Sequence, residues 1–267
     1  MNYPLRMPAE HGAWGILLVP YLTAVLMLGT TNLSVLLVLV AAVALFLVRG
    51  SADSHGTWRV LTDPRHLLLF SIGVLAGGWL VLAERRHVLL VLLAAVGTLY
   101  LLQKALAQHP DREIHEKRSL AAELVGVVLL TLVVPATWVA ARGELDRSGL
   151  QLWLLNLLFF AGGVIYVKYR VRGLLAHRPF QSWAERVRFA WPVLTYHLLL
   201  VAFLIAASAR DALPTLTVLA FMPGMLRALG LVRQLGKRFP IRRLGWSEVA
   251  QAIVFAALLV LSLKFSP

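Results

Sequence analysis

The feature that most constrains this chain is a recurrence of apolar stretches close to 20 residues long. They fall at about 13–30, 33–49, 67–83, 88–105, 119–141, 150–167, 189–208, 212–230 and 247–265. A helix needs roughly 20 apolar residues to cross the hydrocarbon core of a bilayer. Runs such as VLLVLLAAVGTLYLL do not alternate, which argues against the strands of a membrane β-barrel. The expected fold is therefore all-α: a polytopic membrane protein of about nine transmembrane helices. With no linker rich in Pro, Gly or Ser, residues 1–267 read as a single helical-bundle domain.

Charge orients the bundle. The formal net charge is +13, which in a soluble protein would suggest nucleic acid. Placed on nine spans, only Arg85, Arg86, Arg142, Arg147, Arg210 and Lys264 fall on one side. The remaining 20 of the 26 Lys and Arg fall on the side of the N-terminus. Basic loops mark the cytoplasmic face, so the N-terminus is expected in the cytoplasm. The partners implied are membrane lipids, with no nucleic acid. The long loops, 49–66, 104–118, 168–189 and 231–247, all lie on that basic side. The first stretch lacks a basic n-region and a small-residue cleavage site, so it reads as a retained helix and not a signal peptide. The absence of cysteine removes disulfides and thiolate metal sites.

Ionisable groups within a membrane are costly and usually face a cavity or a partner. Most of those here cluster at one depth, in the inner third of the spans. Glu10 and His11 precede the first stretch, and Glu123 lies one turn into the fifth. Lys168 and Arg172 leave the sixth, in FFAGGVIYVKYRVR. Tyr196 and His197 lie about two turns into the seventh, Arg227 ends the eighth, and Glu248 opens the ninth. The outer halves are nearly bare. This asymmetry reads as a polar cavity open to the cytoplasm and closed to the outside. Lys168, Arg172 and Arg227 would bind an anionic, phosphorylated lipid, with His11, Tyr196 and Glu248 also lining the site.

Each residue has a plainer reading. Lys104, Arg170 and Arg178 read as snorkelling interface anchors. Glu248 follows Ser247 and reads equally as a charge favoured by a helix N-terminus. His197 and Glu123 sit at no helix end; they read as cavity lining or as a structural pair between helices. Pro223 and Gly224 are expected to break the eighth helix. Trp14, Trp58, Trp191 and Trp246 read as an interfacial belt, and the pairs Gly77–Gly78 and Gly162–Gly163 as close packing.

At PAEHGAWGILLVPYL, FFAGGVIYVKYRVR, TYHLL and RRLGWSEV the chain resembles the YwiC-like family of bacterial integral membrane proteins. That resemblance implies a multi-pass protein of the bacterial cell (inner) membrane and brings no activity with it. The helix count, the long loops after the second and sixth spans, and HEKRSLAAELVGV are distantly similar to the UbiA-type intramembrane prenyltransferases. The similarity implies a UbiA-like bundle and transfer of a prenyl group from a polyprenyl diphosphate to an acceptor. Mg²⁺ would sit on two Asp-rich loops, with His197 or Glu123 orienting or deprotonating the acceptor. The sequence departs from that pattern. Asp53 and Asp63, the metal ligands the position would supply, are ten residues apart, and the second loop has no Asp. Mg²⁺ needs carboxylates close together. A guanidinium-rich pocket without catalysis, in a transporter or lipid-handling protein, is the alternative.

Overall fold

A computed structural model describes residues 11–55, 62–107, 119–175, 180–237 and 239–265. Among them, every regular element is a helix. In chain order they are α1 His11–Leu28, α2 Leu33–His55, α3 Pro64–Leu82, α4 Val88–Ala107, α5 Leu120–Thr131, α6 Val133–Arg142, α7 Arg147–Leu175, α8 Trp183–Ser208, α9 Thr217–Gln234 and α10 Ile241–Phe265. Seven described segments are long and apolar enough to cross a membrane, with α5 and α6 together forming one of them, Leu120–Arg142. The chain is thus a polytopic all-α membrane protein. Each of the nine apolar stretches forms helix, but two of these helices are not among the seven: α1, a shorter apolar helix, and α9.

The helices differ from the apolar stretches at their basic ends. Helix α7 runs to Leu175, so Lys168, Arg170 and Arg172 stand inside it and do not leave it. Helices α8 and α10 begin at Trp183 and Ile241, six residues before the apolar runs. Apolarity marks where a bilayer ends, whereas backbone hydrogen bonding continues beyond it. Helix α9 passes through Pro223 and Gly224 without a break, contrary to expectation. The break that does occur lies between α5 and α6 at Leu132. Pro135 lacks an N–H, and its ring crowds the carbonyl of Thr131 four residues earlier.

The chain divides into two compact units. Unit 1 comprises residues 1–98 and 129–153, and unit 2 comprises residues 99–128 and 154–267. In unit 1, α2 packs on α3 and α6, and α1 packs on α6. Its core joins Leu17 and Tyr21 of α1, Val35, Val38 and Phe46 of α2, Leu80 of α3, and Val133 and Ala140 of α6. The Tyr21 hydroxyl donates to the Val35 carbonyl at 3.2 Å. Asp63 caps α3: its Oδ1 accepts from the Arg65 amide at 3.0 Å, with Pro64 at the first helical position.

In unit 2, α9 packs on α8 and α10. One core cluster combines Ile165 and Tyr166 of α7, Ala190 and Val193 of α8, Ala228, Leu231 and Val232 of α9, and Leu244 of α10. Nearby, Phe159 of α7 stacks on Phe255 of α10 at 3.9 Å, and Phe221 of α9 meets both edge-on. Small residues let these helices approach closely, which is the main source of helix association once lipid replaces water.

Candidate functional site

The site is built on α7 within unit 2. Gly162 and Gly163 sit side by side in an otherwise apolar run and open a notch on two neighbours. A Cβ on Gly162 would lie 2.9 Å from Tyr196 Cε1 and 3.5 Å from His197 Nε2, both on α8. A Cβ on Gly163 would lie 3.4 Å from Glu248 Oε2 on α10. The glycines therefore admit three polar side chains, Tyr196, His197 and Glu248, against the helix backbone, and do more than pack helices.

On α8, Tyr196 donates its hydroxyl to the Leu158 carbonyl at 2.7 Å, which fixes α8 to α7. His197 Nδ1 lies 2.8 Å from the Val193 carbonyl one turn earlier. A carbonyl only accepts, so Nδ1 carries the proton and Nε2 presents its lone pair toward the notch. On α9, Arg227 forms a two-pronged ion pair with Glu248. Nη1 donates to Oε1, and Nη2 donates to Oε2 at 3.0 Å. The same guanidinium lies 4.0 Å from the centre of the Tyr166 ring, a cation–π contact. Tyr166 in turn donates to Gln234 Oε1 at 3.4 Å.

Glu248 stands two turns inside α10, so it is not the helix-start charge its neighbour Ser247 suggested. Gln251, one turn further on, donates to the Pro223 carbonyl at 3.5 Å. These groups surround a cavity of about 20 Å³, room for one water-sized group. Its lining includes Gly162, Gly163, His197, Gly224, Arg227 and Gln251. Arg227 Nε and Gln251 Oε1 are buried without hydrogen-bond partners among the described residues. The cavity therefore offers a donor, Arg227 Nε, and an acceptor, Gln251 Oε1, with the His197 lone pair beside them. A hydroxyl group or a water molecule suits that set.

The remaining sequence-predicted residues are placed as follows. Glu123 and Lys168 pair with each other, Nζ to Oε1 at 2.9 Å, joining α5 to α7. Arg172 lies 5.4 Å from the Tyr169 ring centre. Arg170 is no snorkelling anchor. Only 5% exposed, it donates to the Gln234 and Lys237 carbonyls after α9 and stacks 4.2 Å from Phe239. The side chains of His11 and Asp53, with all of Glu10, lie outside the described residues. Asp63 belongs to unit 1, where its carboxylate caps α3 and sits 3.3 Å from His66 Nδ1. Among the described residues no three His, Asp or Glu come within reach of one metal ion. A lone capping carboxylate does not fit Mg²⁺, which calls for carboxylates in near-octahedral array.

Sequence reasoning missed Gln251 and the partners of Tyr166. Gln251 had a signal: an uncharged polar residue three positions after Glu248, on the same face of an apolar helix.

Residues 7–138 match the family model described as YwiC-like protein. The "Uncharacterized protein YwiC" of Bacillus subtilis strain 168 is 25% identical over 265 residues, 96% of this chain and 97% of that protein. An "Uncharacterized protein" of Haemophilus influenzae Rd is 26% identical over 147 residues, 55% of this chain and 54% of the relative. The chain thus spans about half the length of that second protein. No solved structure matches.

Proposed function

Because the chain matches the YwiC-like family model over residues 7–138 and is similar along nearly its whole length to the YwiC protein of Bacillus subtilis, whose name carries no activity, we propose its function from the site alone. It binds the phosphate head of an isoprenoid or other lipid in a cavity of unit 2 that opens to the cytoplasm, within the bacterial inner membrane. One observation carries this reading: a guanidinium on α9, an imidazole lone pair and an amide meet at a glycine notch beside α7, α8 and α10, which are long and apolar enough to cross a membrane. Such groups are expensive in hydrocarbon and are kept where they act on something. Arg227 suits phosphate because its planar fork matches phosphate oxygens.

In its catalytic form the protein is prenyltransferase-like. The acceptor hydroxyl gives its proton to His197 Nε2, and the acceptor oxygen bonds to the first prenyl carbon. The bond from that carbon to the diphosphate breaks, and the diphosphate leaves with the electron pair beside Arg227. Lys168 and Arg172 extend the positive surface of α7. Glu123 holds Lys168.

The test is purified protein with labelled prenyl diphosphates and a panel of hydroxylated aromatic acceptors, beside native mass spectrometry of copurifying lipids. Expected are a bound phosphorylated lipid and a product whose formation falls at least 100-fold in His197→Ala. Neither binding nor product sinks the reading.

A specific observation favours a second reading, transport or lipid handling without catalysis. Arg227 and Lys168 already hold carboxylates, and the cavity is water-sized. Solute flux in liposomes that is abolished by His197→Ala, with no covalent product, would select this reading over the first.

A further inference from the structure

The proposed ligand and Glu248 compete for the same nitrogens. Glu248 takes both terminal nitrogens of Arg227, and Tyr166 covers one face of the guanidinium. Among the described residues Nε has no hydrogen-bond partner, and each terminal nitrogen keeps a second N–H. Around Glu248 stand Arg227 from α9, Tyr166 and the Gly163 backbone from α7, and His197 from α8 across the notch. Of these Arg227 carries the fixed positive charge, while His197 turns its Nδ1 proton onto the Val193 carbonyl. A phosphate brought to Arg227 would place two anions on one cation inside a spanning helix bundle. Like charges sharing a poorly solvated site drive one of them to its neutral form. Glu248 cannot carry its charge away cheaply, since its side chain is 19% exposed and an uncompensated charge there is strongly disfavoured.

We infer that Glu248 is a built-in stand-in for the ligand's phosphate: an anionic lipid head displaces it from Arg227, and each anion bound is accompanied by protonation of Glu248. This rests on the anion-binding reading above and adds a proton to it. The sign follows directly. The complex holds one more proton than the free protein, so binding weakens as pH rises through the window between the carboxyl's pKa in the free and bound states. The loss is about tenfold per pH unit for one linked proton.

The experiment is calorimetric titration of the full chain in nanodiscs with farnesyl diphosphate, in buffers of differing ionisation enthalpy, for wild type and Glu248→Gln. The ligand's own protons cancel in the difference. Wild type should take up about one proton more per ligand than the variant, and the variant should bind more tightly at pH 8. Infrared difference spectra of wild type alone, should the variant not fold, are expected to show a protonated carboxyl band appearing on ligand addition. Binding with equal proton uptake in both proteins, or with no such band in wild type, overturns the inference and leaves the anion site standing. Absence of binding by wild type at every pH overturns the anion site itself, and the inference falls with it.

Discussion

Units 1 and 2 handle buried polarity in opposite ways. In unit 1 it is settled mostly close to home. Thr23 donates to the Pro20 carbonyl and Thr137 to the Val133 carbonyl. The ion pairs described there, Asp63 with His66, Glu84 with Arg86 and Arg142 with Asp146, join residues two to four positions apart at helix ends. In unit 2 full charges are matched between helices, 45 positions apart for Lys168–Glu123 and 21 for Arg227–Glu248. Among the described residues of unit 1, spanning helices pack with ion pairs only between near neighbours in sequence. Their presence in unit 2 needs another reason, and the proposed binding site would supply one. A buried pair is weak evidence for stability in any case, because desolvation consumes most of the Coulomb gain.

The largest effect expected from that contrast is at Arg227. Arg227→Ala or Glu248→Ala strands a charge and should destabilise the protein by about 3–5 kcal/mol. Arg227→Leu combined with Glu248→Leu should cost less than either single change. Midpoints of denaturant titrations in detergent would report both. If the double variant is the least stable, the pair is structural and the contrast between units loses its functional meaning.

Next come the glycines. Gly162→Ala forces a methyl to within 2.9 Å of the Tyr196 ring, whose hydroxyl is tied to Leu158. A loss of about 1–3 kcal/mol is expected, with impaired ligand binding. In unit 1, Gly77 has nothing within 4 Å of an added Cβ. Gly77→Ala should be neutral or stabilising by up to ~1 kcal/mol through helix propensity. Equal behaviour of the two variants in thermal melts would erase the difference between notch and open face.

The smallest effect lies at Asp146, in the turn before α7. Burial alone would raise its carboxyl. The Gly149 amide donating to Oδ1 at 2.8 Å, together with Arg142, outweighs that and holds it below the ordinary value of 3.8. A depressed folded pKa contributes stability that is present in full above the unfolded value and lost as pH falls through the folded one. Stability below about pH 4 should thus decline less steeply in Asp146→Asn than in wild type, as measured by melts across pH. Near pH 7 the wild type keeps this contribution in full, and neither protein's stability should change with pH through this group.

Much of the fold could be read from the sequence because crossing a bilayer demands length and apolarity, and both are visible residue by residue. Helix ends were harder. Lys168 and Trp183 lie beyond the apolar limits yet within helices, since charged residues end the hydrocarbon contact without ending the hydrogen-bond ladder. That Tyr196, His197, Arg227 and Glu248 gather in one region was also legible. Which acid meets which base was not. Several cations at one level can each reach several carboxylates, and only helix packing decides that Lys168 takes Glu123 while Arg227 takes Glu248. Asp63 had a readable signal that position alone obscured: an Asp followed by Pro is a helix start.

Arg170 shares its stretch of chain and its sign with Lys168 and Arg172, yet it is the least replaceable of the three. It lies flat on Phe239 while facing the carbonyls of Gln234 and Lys237, a task that needs a broad, planar cation. An ammonium is compact and strongly hydrated; it would serve one oxygen and give up the ring. Neighbouring positions of equal charge therefore tolerate exchange very unequally, and an Arg170→Lys swap, conservative on paper, would unfasten the chain between α9 and α10.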